Sequence, residues 1–92
     1  MRAKKIDTNQ NLIVTQLRRC GVSVAITSMV GKGFPDLIIG RAGQNFLIEL
    51  KDGNKSKSRK KLTAAEKEFF TTWNGQVNTA ENFDEIKNII GL

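Results

Sequence analysis

Pro35-Asp36-Leu37-Ile38-Ile39-Gly40 is followed, after Arg41-Ala42-Gly43-Gln44, by Asn45-Phe46-Leu47-Ile48-Glu49-Leu50-Lys51. The two outer stretches are apolar runs of strand length, and the segment between them reads as a hairpin connection. Successive strand side chains alternate between faces, so Glu49 and Lys51 share one face while Ile48 and Leu50 point into a core. In a hairpin the start of the first strand lies beside the end of the second, which brings Asp36 next to Glu49 and Lys51. Two adjacent carboxylates repel, and burying them is unfavourable unless something compensates the charge. A hard divalent cation does so, and Mg²⁺ takes one or two carboxylates together with water and phosphate oxygens. Such an ion would acidify a water and stabilise charge on a scissile phosphate, with Lys51 orienting the water or neutralising the phosphate. The bland alternative is a solvated Glu49/Lys51 pair worth under ~1 kcal/mol, with Asp36 a turn residue after Pro35.

Outward from this hairpin, Asp7-Thr8-Asn9 opens a helix whose apolar stripe is Leu12, Ile13, Val14 and Leu17, with Gly21 as its stop. Val22 to Thr27 alternates and is rich in β-branched residues, as a strand should be, and Gly31-Lys32-Gly33 is a turn. Downstream, Thr63 and Glu66 form a Thr-x-x-Glu capping box for a second helix. Leu62, Ala65, Phe69, Phe70 and Trp73 supply its apolar, core-facing side and Gly75 closes it. Val77 to Ala80 is a short strand, and Asn82 caps a last helix bearing Phe83, Ile86, Ile89 and Ile90. The order αβββαβα describes an α/β domain, a small mixed sheet flanked by helices, occupying residues 1–92 with a loose basic arm at 1–6.

The chain of 92 residues suits one small domain. It has one cysteine, Cys20, and no histidine or tyrosine. That excludes an internal disulfide, a Cys/His zinc site, a Ser-His-Asp triad and a phosphotyrosine intermediate. Acid–base work must fall to carboxylates, lysines or water on a metal. Lys plus Arg is 15 against 9 Asp plus Glu, a formal charge of +6 and a pI near 9.8. This balance favours a polyanionic partner. No apolar run approaches the ~20 residues of a membrane span and no signal-like segment leads the chain, so a cytoplasmic protein is expected.

Between Lys55 and Lys61 five of seven residues are basic, namely Lys55, Lys57, Arg59, Lys60 and Lys61. Leaving the strand directly after Lys51, this loop is placed to hold phosphates either side of a cut, and Lys32 can approach a phosphate near Asp36. Such contacts read shape and charge rather than base identity. Arg18 and Arg19 end the first helix, where cations suit its dipole. Phe69, Phe70 and Trp73, at helical spacing, read as core rather than as a base-stacking platform.

The stretch Gly31-Lys32-Gly33-Phe34-Pro35-Asp36-Leu37-Ile38-Ile39-Gly40, then Phe46 to Gly53, then Lys61-Leu62-Thr63, resembles the VRR-NUC family of the PD-(D/E)xK nuclease superfamily. The resemblance runs from about Asp7 to Ile90 and points to a small standalone, phage-type member. It implies a restriction-endonuclease-like core. It also implies a Mg²⁺ or Mn²⁺ site made by Asp36, Glu49 and the Leu50 carbonyl, with Lys51 beside the water. The expected activity is that of a homodimeric endonuclease on branched DNA such as four-way (Holliday) junctions, whose two-fold symmetry suits two related active sites. Two departures stand out. The superfamily often has an acid on the first helix, where this chain offers only Asp7, a helix-start residue and an alternative metal ligand. Many members have a glutamine in the helix after the lysine, where this chain has Glu66, already explained as a cap. The rival readings are a non-catalytic basic nucleic-acid-binding module of the same fold, and an RNA-directed nuclease.

Overall fold

A computed structural model describes residues 8–51 and 61–92. In chain order the elements are α1 (Thr8–Arg19), β1 (Ser23–Ile26), β2 (Leu37–Arg41), β3 (Gln44–Leu50), α2 (Ala64–Thr72), β4 (Asn78–Ala80) and α3 (Phe83–Ile90). This is the αβββαβα order, with boundaries within a residue or two of those expected, apart from the end of α2. The sheet runs β1-β2-β3-β4. Its first three strands are antiparallel and β4 joins β3 in parallel.

The β2–β3 hairpin is the rigid unit. Ala42 and Gly43 both have positive φ, 52° and 77°, the backbone signature of a two-residue primed turn whose twist matches the strands. The resulting register pairs Leu37 with Ile48 and Ile39 with Phe46. Leu37, Ile39, Ile48 and Leu50 therefore fall on one face, where they pack with Ile13, Val14 and Leu17 of α1 and Ile86 and Ile90 of α3. Burying aliphatic side chains of this size stabilises by about 1.5–3 kcal/mol each. Asn82 caps α3 by accepting from the Glu85 N–H, and Gly91 ends it in the left-handed conformation.

Three expectations need correction. Leu12 is not part of the α1 stripe but exposed, and the stripe is Gln10, Ile13, Val14 and Leu17, with a glutamine holding the first position. The second helix ends at Thr72 with Trp73 as C-cap, before Gly75. Its aromatic side does not enter the core either. Phe69 and Phe70 are half-buried and Trp73 is exposed, and the buried residue of α2 is Glu66. The cause is placement, because α1 and α3 already fill the apolar face of the sheet, while α2 meets the end of the hairpin through Glu66 and the Gly31–Gly33 turn.

α2 also meets the turn before Pro35. Gly31, Lys32 and Gly33 all have positive φ (87°, 54° and 77°), and the Phe34 N–H closes the turn on the Gly31 carbonyl. A Cβ on Gly33 would sit 2.2 Å from the Ala65 carbonyl oxygen, so only glycine permits this approach to the first turn of α2.

Candidate active site

The β2–β3 register, continued one pair beyond Leu37 and Ile48, sets Asp36 opposite Glu49 on the face away from the apolar core. Both are buried, at 6% and 2% exposure. Two backbone features fix them. On the β1 side the Thr27 N–H and hydroxyl donate to the carbonyls of Asp36 and Pro35, at 2.8 and 2.7 Å. On the β3 side the next position in register belongs to Pro35, which has no N–H to offer Leu50. The Pro35 carbonyl already accepts from the Thr27 hydroxyl, and the Leu50 N–H donates to Asp36 Oδ2 at 2.8 Å. The ladder ends here, and the same proline that ends it gives the Leu50 carbonyl no ladder donor from β2.

Lys51 follows, its backbone N–H bonded to the Ala80 carbonyl at 2.9 Å. Its ammonium lies 3.5 Å from Glu49 Oε2 and 2.7 Å from Glu66 Oε1. Glu66 completes the expected capping box, its Oε1 accepting from the Thr63 N–H at 2.9 Å while Thr63 Oγ1 accepts from the Glu66 N–H. One oxygen thus serves the helix start and the lysine together. Burial alone would raise the Glu66 pKa. Hydrogen bonds with the Glu49 carboxyl, the Lys51 ammonium and the Thr63 N–H, with the lysine charge, outweigh it and lower the pKa from 4.5 to about 2. The resemblance sets Glu66 where the family has a glutamine, but in the sequence the cap accounts for it and the site role is set aside.

The structure thus brings Asp36, Glu49 and Lys51 together and adds Glu66. Lys32 and Lys61 are exposed, Lys32 on the glycine turn two residues before Phe34 and Lys61 just ahead of the Thr63 cap. Asp7, Lys55, Lys57, Arg59 and Lys60 lie outside the described residues. No acid stands on α1. Gln10 is buried there instead, accepting from the Ser28 hydroxyl at 2.9 Å, and Ser28 directly follows the Thr27 that anchors Asp36. Arg18 donates to the Val24 carbonyl at 2.9 Å, a tether between α1 and β1 beyond any interaction with the helix dipole.

Among the described residues no group of three or more Asp, Glu, Cys or His side chains gathers as a ready-made metal cage. Two carboxylates and a main-chain carbonyl, all hard oxygen donors, still fit Mg²⁺ or Mn²⁺. Mg²⁺ binds through one or two carboxylates and keeps several places for water and phosphate.

A solved structure described as a VRR_NUC domain superposes with a TM-score of 0.54 over 89% of each chain, at 24% identity, so the chain has the VRR_NUC fold. No family model matches the sequence, and no curated protein matches it. Among the described residues no helix is long and apolar enough to cross a membrane.

Proposed function

We propose that this protein is a metal-dependent endonuclease that hydrolyses phosphodiester bonds in DNA, selective for branched structures such as four-way junctions and acting as a homodimer. The observation that carries the reading is the burial of Asp36 and Glu49 side by side at the end of the hairpin, with the ammonium of Lys51 3.5 Å from Glu49. A structural strand has no reason to place two acids there, and a module that only binds nucleic acid has no use for carboxylates that repel phosphate.

In this reading Asp36, Glu49 and the Leu50 carbonyl would hold Mg²⁺ or Mn²⁺, which when bound supplies charge neutralisation at the phosphate and a more acidic water. Asp36 presents a fixed carboxylate because the Leu50 N–H holds one of its oxygens. Lys51 offers its ammonium to the phosphate as charge builds in the transition state, and preorganised charge of this kind needs no rearrangement during reaction. Glu66 holds that ammonium in place. Lys32, Lys61 and the basic residues Lys55, Lys57, Arg59 and Lys60 would contact the backbone, which confers preference for shape over sequence. Branch selectivity and the homodimer rest on the VRR-NUC resemblance and on the match between two-fold protein and two-fold junction.

Cleavage of labelled four-way junction, flap and linear duplex DNA, with RNA duplex as a further arm, tests this in Mg²⁺, Mn²⁺ and EDTA, comparing wild type with Lys51→Ala. Junction cutting that needs metal and is lost in the variant is the expected result. Tight binding of the junction without cutting in either metal would replace the reading with the binding module, and cutting confined to RNA would reassign the substrate.

A further inference from the structure

The aromatic side of α2 is the largest feature that neither the core nor the acid–lysine site absorbs. Phe34, Phe69 and Trp73 form a row in which Phe34 meets Phe69 edge to face at 5.3 Å and Phe69 stacks on Trp73 at 5.0 Å with 18° between planes. Trp73 keeps 43% of its surface exposed. Single exposed hydrophobic side chains are ordinary, but three rings in mutual contact, one edge to face and one stacked, are not scattered residues.

The placement of the row joins it to the site. Glu66 and Phe69 lie three residues apart on α2, and Trp73, the C-cap that follows it, stacks on Phe69. Seven residues of helix span about 10 Å, roughly three steps of a nucleic-acid strand at ~3.4 Å each. The row therefore starts at the carboxylate that holds Lys51 and leads away from it. Its first ring, Phe34, stands two residues before Asp36 on the turn that meets the first turn of α2. Both supports are built closely. Gly33 alone permits the turn bearing Phe34 to touch the α2 backbone, and a Cβ on Gly75 would come within 2.9 Å of the Trp73 Nε1. Gln76 then fixes the following loop to β3, accepting from the Leu47 N–H at 2.7 Å and donating to its carbonyl at 2.9 Å. The indole is thus presented by a fixed loop. Exposed Lys32, Lys61 and Lys67 lie on the segments bearing the row, against exposed Glu68, a local excess of positive charge that suits a polyanion.

We infer that Phe34, Phe69 and Trp73 form a stacking platform for unpaired bases of the DNA, with Trp73 as the exposed ring, so that the enzyme favours branched DNA that exposes bases beside the scissile phosphate. This rests on the nuclease reading of the same site. Aromatic stacking accepts any base, since each has a π-face, and a continuous duplex offers none outside its stack.

Trp73 is the single tryptophan in a chain without tyrosine, so its fluorescence reports this position alone. The test titrates wild-type protein in EDTA with a labelled single-stranded oligonucleotide, a forked duplex with unpaired arms and a continuous duplex, reading tryptophan emission and label anisotropy together. The expected result is quenching by the first two and little by the duplex. Trp73→Ala should weaken binding of unpaired-base DNA by roughly tenfold and of duplex by less than about twofold, with Trp73→Phe recovering most of the loss. Circular dichroism confirms that each variant is folded. DNA binding that leaves the emission unchanged, or equal affinity in Trp73→Ala, overturns the platform and leaves the nuclease reading intact. Emission that shifts with protein concentration alone, with Trp73→Ala dissociating a dimer, also overturns it and assigns the row to a contact between copies. If no DNA of any form binds, the platform falls, and the metal-dependent cleavage assay decides separately whether the nuclease reading falls with it.

Discussion

Removal of the Glu66 carboxylate separates its two roles. In Glu66→Ala the Thr63 N–H loses its 2.9 Å acceptor, and the Lys51 ammonium loses its 2.7 Å partner, keeping the longer contact to Glu49. The capping half costs about 1 kcal/mol. A hydrogen bond to a charged group contributes about 1.5–3 kcal/mol, taken at its low end because Glu49 still faces the lysine. Together the loss is about 2–3 kcal/mol, or roughly 10–20 °C in Tm for a domain of this size. Glu66→Gln retains an oxygen acceptor and should cost about 1 kcal/mol. Urea denaturation of the metal-free protein, followed by circular dichroism and Trp73 emission, measures both. A double-mutant cycle of Glu66→Gln with Lys51→Met isolates the shared term, expected at about 1–2 kcal/mol. Coupling below about 0.5 kcal/mol would show that the two side chains do not act together and would refute the assignment of Glu66 as the residue that positions Lys51.

Three further outcomes follow from the same geometry. Asp36→Asn keeps an oxygen for the Leu50 N–H and should fold near wild type while losing metal-dependent cleavage, whereas Asp36→Ala strands a buried donor at about 1–3 kcal/mol; paired denaturation and cleavage assays distinguish them. Because the Glu66 pKa is lowered from 4.5 to about 2, its ionisation contributes stability that is full above pH 4.5 and is lost as pH falls toward 2; the acid side of the wild-type stability curve should therefore be steeper than that of Glu66→Gln. Gly33→Ala drives a Cβ into the Ala65 carbonyl while Gly31→Ala meets open space, so calorimetry should show the first losing at least about 2 kcal/mol and the second only the ~1 kcal/mol of its positive φ.

The sequence made the hairpin legible because two independent signals agreed, apolar runs of strand length on both sides and a hairpin connection through Ala42-Gly43 between them. The caps at Thr63 and Asn82 were legible because capping is local chemistry, settled within four residues. Helical spacing was less informative. It correctly grouped Phe69 with Trp73 on one side of α2, but periodicity says which residues share a face and not what lies opposite that face. For α1 it took Leu12 into the stripe and left out Gln10, because a hydrophobic pattern has no means of recognising a buried glutamine whose partner is Ser28. Glu66 was set aside differently, since a cap that satisfies every local bond left its contact with Lys51, fifteen residues earlier, without need of explanation.

Pro35 links these observations. A proline just before the first strand of the hairpin ends the β2–β3 ladder, since it has no N–H for Leu50. The Leu50 carbonyl is thereby left without a ladder donor from β2, while the Leu50 N–H donates to Asp36 Oδ2 and fixes that carboxylate beside Glu49. The end of the ladder and the placing of the Asp36 carboxylate therefore coincide at Pro35-Asp36. Glu49 and Lys51 gain theirs from alternation alone, because the apolar face of β3 is already committed to α1 and α3. The remaining face is left to α2, which contributes a carboxylate where a core-facing helix would contribute a hydrophobe. An isolated β-hairpin could present Asp36, Glu49 and Lys51, but the lysine would be free to swing. Glu66 on α2 confines it, at 2.7 Å from the ammonium.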